Sequence, residues 1–328
     1  MNQQTFEARY VARWDEFSGW LKRDGSKRPK VGSGTSAVDP MEVPARYREL
    51  CQHLALARDR QYSADLIERL SRLALAGHQT LYGARGRGLE RVGQFLRAGF
   101  PRAVRREIRF VLLAALLFFG PLLVLTFAVP HYPDFAYVVL PAEALDSVQA
   151  MYGEGTKTLG RKREADSDVA MFGFYIFNNV RIGFQTFASG LLFGLGAIFY
   201  LLYNGLFIGT ITGHIVHSGL ATNFFSFTSG HSAFELGAIC LSGAAGLKIG
   251  YALVAPGRLT RAAALRAAAA EAIPLVAGLA GMLLIAAGIE AFWSPRAFLP
   301  PVAKYAVGGV LWLLLFLYFG FVGREHAA

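Results

Sequence analysis

FVLLAALLFFGPLLVLTFAV, Phe110 to Val129, holds no charged residue and has the length of one bilayer crossing. In lipid the backbone has to satisfy its own polar groups, so such a run reads as a helix. The whole chain agrees with it. Of 328 residues, 54% are hydrophobic and 17% charged, where a soluble domain carries about a quarter charged. Downstream, the block from Phe172 to Gly219 is too long for one span and is broken by YNG at Tyr203–Gly205, which predicts spans at 180–202 and 204–218. Further spans are expected at 231–254, at 271–291 with Pro274 inside, and at 303–322. The expected fold class is therefore all-α: a polytopic membrane protein with about six transmembrane helices over 110–328 and an external loop at 130–170.

Upstream, residues 1–109 carry 21 Lys+Arg against 12 Asp+Glu, nearly all of the +10 net charge. Because apolar spans follow directly, this basic part suits a membrane surface and not nucleic acid. Arg102, Arg105, Arg106 and Arg109 precede the first span, and Arg258, Arg261 and Arg266 lie between the fourth and fifth. An even number of spans puts both sets on one side, predicted cytoplasmic, together with both termini. The 130–170 loop, with four basic and seven acidic residues, falls outside despite its KTLGRKRE patch. Within it, LPAEALDSVQAMYG (140–153) reads as an interfacial or loop helix.

The opening MNQQTFEARYVARWDEF is polar and mixed in charge, unlike a secretory leader. Tyr10, Trp14, Phe17 and Leu21 fall at helical spacing. After the Gly/Ser/Pro-rich loop GSKRPKVGSGTSAVDP come the stripes Leu50, Leu54, Leu56 and Leu66, Leu70, Leu73. A cytoplasmic helical domain is expected over 1–109, ending in an arginine-rich juxtamembrane run from Arg85. Cys51 and Cys240 form neither a disulfide framework nor a CxxC site.

Small residues recur at four-residue spacing: Gly190 and Gly194, then Gly205, Gly209 and Gly213, then Gly246 and Gly250. Such stripes let helix backbones approach closely, within a bundle or in a homodimer. Polar residues recur as well. Asn178, Asn179 and Arg181 are expected at the outer end of the second span, His231 and Glu235 at the outer end of the fourth, and Asn204 at an inner turn. His231 and Glu235, at i and i+4, face one way if helical. Four readings stay open for them. SAFE matches a capping box with Ser232 as N-cap; Glu235 can pair with Arg181; the pair can relay protons or ions; or it can ligate a divalent metal with a third ligand such as His214, His217 or Asp134. Lys248 is expected to snorkel.

NNV (178–180), YNGLFIG (203–209), GHSAFEL (230–236) and GAAGLKIG (243–250) resemble the stage II sporulation protein M family of bacterial membrane proteins. RYRELCQHLALAR and AGHQTLY resemble the cytoplasmic part of its non-sporulating branch. The family usually reads PHG where Gly230 and Ser232 flank His231 here, and its polar positions map onto Asn179, Asn204, His231 and Glu235. The resemblance implies the bacterial inner membrane, and a component working beside a peptidoglycan-cleaving partner or beside MoxR-type ATPases and RDD-domain membrane proteins. The expected role is a non-enzymatic scaffold or assembly component of an envelope complex, with no cofactor. A transporter or channel would need a water-accessible cavity between the second, third and fourth spans. A membrane-embedded metal-dependent hydrolase would need a third ligand beside His231 and Glu235.

Overall fold

The computed structural model describes residues 1–23, 42–82, 85–153, 159–160 and 168–324. The GSKRPK loop and most of KTLGRKRE lie outside them. Every regular element among the described residues is helical. They form two units, Met1–Gly93 and Gln94–Ala328.

The first unit contains α1 (Gln3–Arg23), α2 (Val43–Asp59) and α3 (Ala64–Tyr82). The apolar stripes of the sequence meet as expected: Phe6, Trp14, Phe17, Leu50, Leu66 and Leu70 form its core, flanked by Tyr10, Leu21, Leu54, Leu56 and Leu73. Trp14 needs a hydrogen-bond partner for its buried indole N–H. His53 Nδ1 accepts that bond at 3.1 Å. An accepting Nδ1 is an unprotonated one, and burial holds the His53 pKa below its usual 6.5. The unfolded chain therefore binds the proton more readily, so stability present above pH 6.5 is lost as the pH falls towards the folded-state value. Protection of the α2 amides in the intact protein, with exchange corrected for its intrinsic pH dependence, should fall between about pH 7 and 5, and His53→Gln should flatten that dependence.

Helix α4 (Arg85–Gln94) closes the first unit, and the second begins with a π-type turn at Phe95–Gly99, followed by α5 (Phe100–Arg106) and α6 (Ile108–Ala128). The stretch before the first span, expected to close the N-terminal domain, is built into the bundle from Gln94 onward. Phe100, Ala103 and Val104 are buried in its main core with Leu241, Leu275 and Leu279. Short helices α7 (Asp134–Val139) and α8 (Ala142–Tyr152) precede the long helices α9 (Asp168–Ala188), α10 (Leu195–His217), α11 (Ala221–Val254), α12 (Arg261–Phe292) and α13 (Pro301–Phe321). Among the described residues five helices, α6 and α10 to α13, are long and apolar enough to cross a membrane. As long as α6, α9 is more polar because it carries Asn178, Asn179, Arg181 and Gln185.

The close approaches give the helix directions. Gly205, Gly209 and Gly213 of α10 lie against the α6 backbone at Phe118, Leu122 and Leu125, so α6 and α10 run parallel. Gly183 and Gly190 of the α9 segment lie against Ser242 and Gly246, so α9 runs with α11. At one end Arg105 donates to the Phe319 carbonyl at 2.7 Å, which brings the start of α6 and the end of α13 together. Helix α11 is the axis of the bundle, buried at every residue from Ala238 to Gly250.

Two boundaries differ from expectation. The break in the long apolar block falls at Ser189–Gly194, not at Tyr203–Gly205. There Phe193 and Gly194 take left-handed backbone, φ 53° and 85°, which ends a helix. Gly205 marks close approach to α6, so Asn204 sits within α10 and donates to Tyr200 O at 2.7 Å. The fourth span starts at Ala221, well before His231. Ser232 is consequently no N-cap: its hydroxyl donates to Ser229 O and accepts from Trp312 Nε1. The RLTRAAALRAAAAEA stretch is continuous with the fifth span, capped by Thr260 accepting from Ala263 N.

Candidate functional site

Because α11 is helical through 231–235, His231 and Glu235 share a face, with Nε2 and Oε2 3.7 Å apart. Facing them from α12 is Glu290, 9% exposed. One ligand-capable atom from each of His231, Glu235 and Glu290 lies within 4.8 Å of the other two. The proposed third ligands His214 and His217 are not part of this group: His214 is buried with neither ring nitrogen hydrogen-bonded among the described residues, and His217 Nδ1 lies 3.3 Å from Pro130 O.

A supporting layer surrounds the cluster. His231 Nδ1 is 3.0 Å from Ser294 Oγ, which leaves Nε2 aimed at the carboxylates. The Phe227 ring meets the imidazole edge-on. Asn179 Nδ2 donates to Glu290 Oε2 at 3.4 Å, and Asn178 donates to Asn179 Oδ1 at 3.1 Å. Lys304 is fully buried and donates to Ser294 O at 2.8 Å, so its charge stands behind His231. Among the described residues no Lys or Arg forms an ion pair with Glu235 or Glu290. Arg181 is exposed on α9 and does not pair with Glu235.

The cluster opens on a chamber of about 470 Å³ between α6, α8, α10, α11 and α12. Most of its wall is apolar, from Leu122, Met151, Ile208, Ile211 and Phe224. The polar part gathers around His231, Glu235 and Glu290, with Tyr152 on the α8 side. Burial first, then the nearby Glu290 carboxylate, pushes the Tyr152 phenol up, so it keeps its proton as a donor.

Of the sequence candidates, Asn178, Asn179, His231 and Glu235 are brought together, while Arg181 and Asn204 are not. Glu290, Ser294 and Lys304 belong to the site and were not anticipated. Their signal was available: Glu290 is an acid inside an apolar span, which marks a functional position by default. The stripe glycines pack within the chain, in the contacts of α10 with α6 and of the α9–α10 segment with α11.

An all-helical membrane protein with a polar centre inside its bundle is the class these features define. The chain belongs to the stage II sporulation protein M family, whose model matches residues 110–295 and so includes His231, Glu235 and Glu290. Residues 4–83 match a domain of unknown function, DUF8413. Neither the curated proteins nor the solved structures offer a match to the chain.

Proposed function

We propose that this protein is a membrane-embedded hydrolase acting on an amphiphilic substrate, in place of the passive scaffold expected from the sequence. The observation that carries this reading is Glu290, which supplies the third group beside His231 and Glu235 at the wall of an apolar chamber. Apolar walls with a few convergent polar groups are the usual make-up of a small-molecule site. The apolar body of the substrate lies along Leu122, Ile208 and Phe224, and its labile bond reaches the cluster. A water held between the carboxylates gives its proton to Glu235 as it attacks, and Glu235 returns that proton to the leaving group. Tyr152 donates to the charge that develops.

By the positive-inside rule, the arginine-bearing end faces the cytoplasm of a bacterial inner membrane, with both termini on that side and the chamber in the outer half. The Met1–Gly93 unit would engage partners, MoxR-type ATPases and RDD-domain proteins among them. In vesicles containing ester, amide and phosphate-ester amphiphiles, the wild type should release a product detectable by mass spectrometry. Glu235→Gln should release about 100-fold less while remaining folded. Equal turnover in the two would remove the hydrolase. If the wild type is inert and Glu235→Gln assembles normally with its partners, the scaffold is right. A second reading, cation-coupled transport, is favoured by the position of ionisable groups within the bundle. It predicts cation flux into the vesicles that Glu235→Gln abolishes, with no hydrolysis.

A further inference from the structure

We infer that His231, Glu235 and Glu290 bind one divalent transition-metal ion of the zinc class, with an open coordination position facing the chamber. The inference rests on this cluster being the functional centre and deepens the hydrolase reading. Three observations carry it. First, the donor set is right: one imidazole and two carboxylates, each offering an atom within 4.8 Å of the others. Catalytic zinc sites use three such protein ligands and leave the fourth position to water or substrate. Bonds of about 2.0–2.2 Å require the three atoms to draw together, which side-chain rotation supplies. Mixed imidazole and carboxylate donors suit a transition metal better than calcium or magnesium, which take oxygen alone.

Second, among the described residues no lysine or arginine pairs with the two carboxyl groups. Buried charges are paired or coordinate metals, because an isolated carboxylate away from water is very costly. His231 is 5% exposed and Glu290 9%, and both point into the same small volume. The nearest buried ammonium, that of Lys304, is committed to the Ser294 carbonyl. A divalent ion at the centre balances both carboxylates at once.

Third, the outer layer is the one metal ligands need. A ligating histidine has its second nitrogen held, and ligating carboxylates are themselves hydrogen-bonded. Ser294 Oγ holds His231 Nδ1, and Asn179 holds one oxygen of Glu290. Glu235, whose side chain is 20% exposed, is the member on the chamber side, where the open position falls; binding through one oxygen would leave its other oxygen free to hold the proton.

The experiment uses the full chain in detergent, equilibrated with zinc, dialysed, and measured for metal content and zinc affinity. About one ion per chain is expected in the wild type and none in a His231→Ala/Glu290→Gln variant of unchanged helix content. Ser294→Ala keeps all three ligands and should weaken affinity by about 10–100-fold. If the double variant does not fold, Ser294→Ala and zinc-edge X-ray absorption decide, the latter expected to show only nitrogen and oxygen neighbours. Zinc absent from folded wild type, sulfur in the coordination shell, or full affinity retained in the Ser294→Ala or double variant would each overturn the inference. The two readings fail separately. Bound zinc without hydrolysis leaves the site and removes the hydrolase, whereas hydrolysis by metal-free protein removes the metal and leaves direct acid–base catalysis.

Discussion

Lys248→Met is expected to destabilise the bundle by about 3 kcal/mol, seen as a large fall in the apparent melting temperature in detergent. In the sequence Lys248 reads as a lysine that snorkels out of the apolar GAAGLKIG run. In the fold it is buried at 8% exposure and bonds the carboxylates of both Glu107 and Glu271. Glu107 is itself 6% exposed and sits at the junction of α5 and α6. Arg106 completes the cluster, its Nε 3.0 Å from Glu107 Oε1 and its guanidinium bonded to Glu271 O at 3.0 Å. Methionine matches the lysine stem in volume, so little packing is lost. The cost comes from a buried carboxylate stripped of its closest cation. Arg106 remains, which holds the loss near the lower end of the range for broken buried pairs. The Lys248→Met/Glu107→Gln double variant should recover much of the loss, because it removes the charge left behind. A double variant no more stable than Lys248→Met alone would show that the cluster does not hold α11 to the α5–α6 junction.

The apolar runs and their glycine spacing made the helical class and the number of long helices legible. Length and hydropathy act locally, so Phe110–Val129 could be read without its neighbours. Boundaries were less legible because the same residue serves two purposes. Gly205 looks like a turn residue beside Tyr203 and Asn204, yet it lies within α10 where the α6 backbone comes close. The true turn at Phe193–Gly194 was hidden in SGLLFGLG, an apolar stretch with no polar break. At the candidate site, His231 and Glu235 were legible as a pair because i and i+4 spacing is a local property. Their partner Glu290 lies in another helix, and only the antiparallel packing of α11 and α12 brings it there. The same holds for Lys248 and Glu107, whose pairing no local pattern announces. SAFE met the pattern of a capping box, but a cap requires a helix end, and α11 begins at Ala221.

Gly190→Ala is expected to cost about 2–3 kcal/mol or more, although a single methyl group is added. A Cβ at Gly190 would overlap the backbone of Gly246, and one at Gly246 would come within 2.9 Å of Thr186 O and 3.0 Å of Phe187 O. Those neighbours are main chain, so no side chain can rotate away. Relief requires α11 to move off the α9–α10 turn, which would also disturb the register between Gly183 and Ser242, whose hydroxyl bonds the Gly183 carbonyl. Within a helix the opposite result is the rule, since alanine in place of glycine normally stabilises a helix interior by about 0.5–1 kcal/mol. The bundle supplies its own control for that effect. Gly120 of α6 and Gly281 of α12 have nothing within 4 Å of a built Cβ, so Gly120→Ala and Gly281→Ala should leave the melting temperature unchanged or raise it. Sign reversal between Gly190→Ala and these two controls is the result that ties stability to backbone contact. If Gly190→Ala and Gly281→Ala shift the melting temperature alike, the close approach of α11 to the α9–α10 turn contributes nothing. The glycine stripe would then need another role, such as contact between copies of the chain.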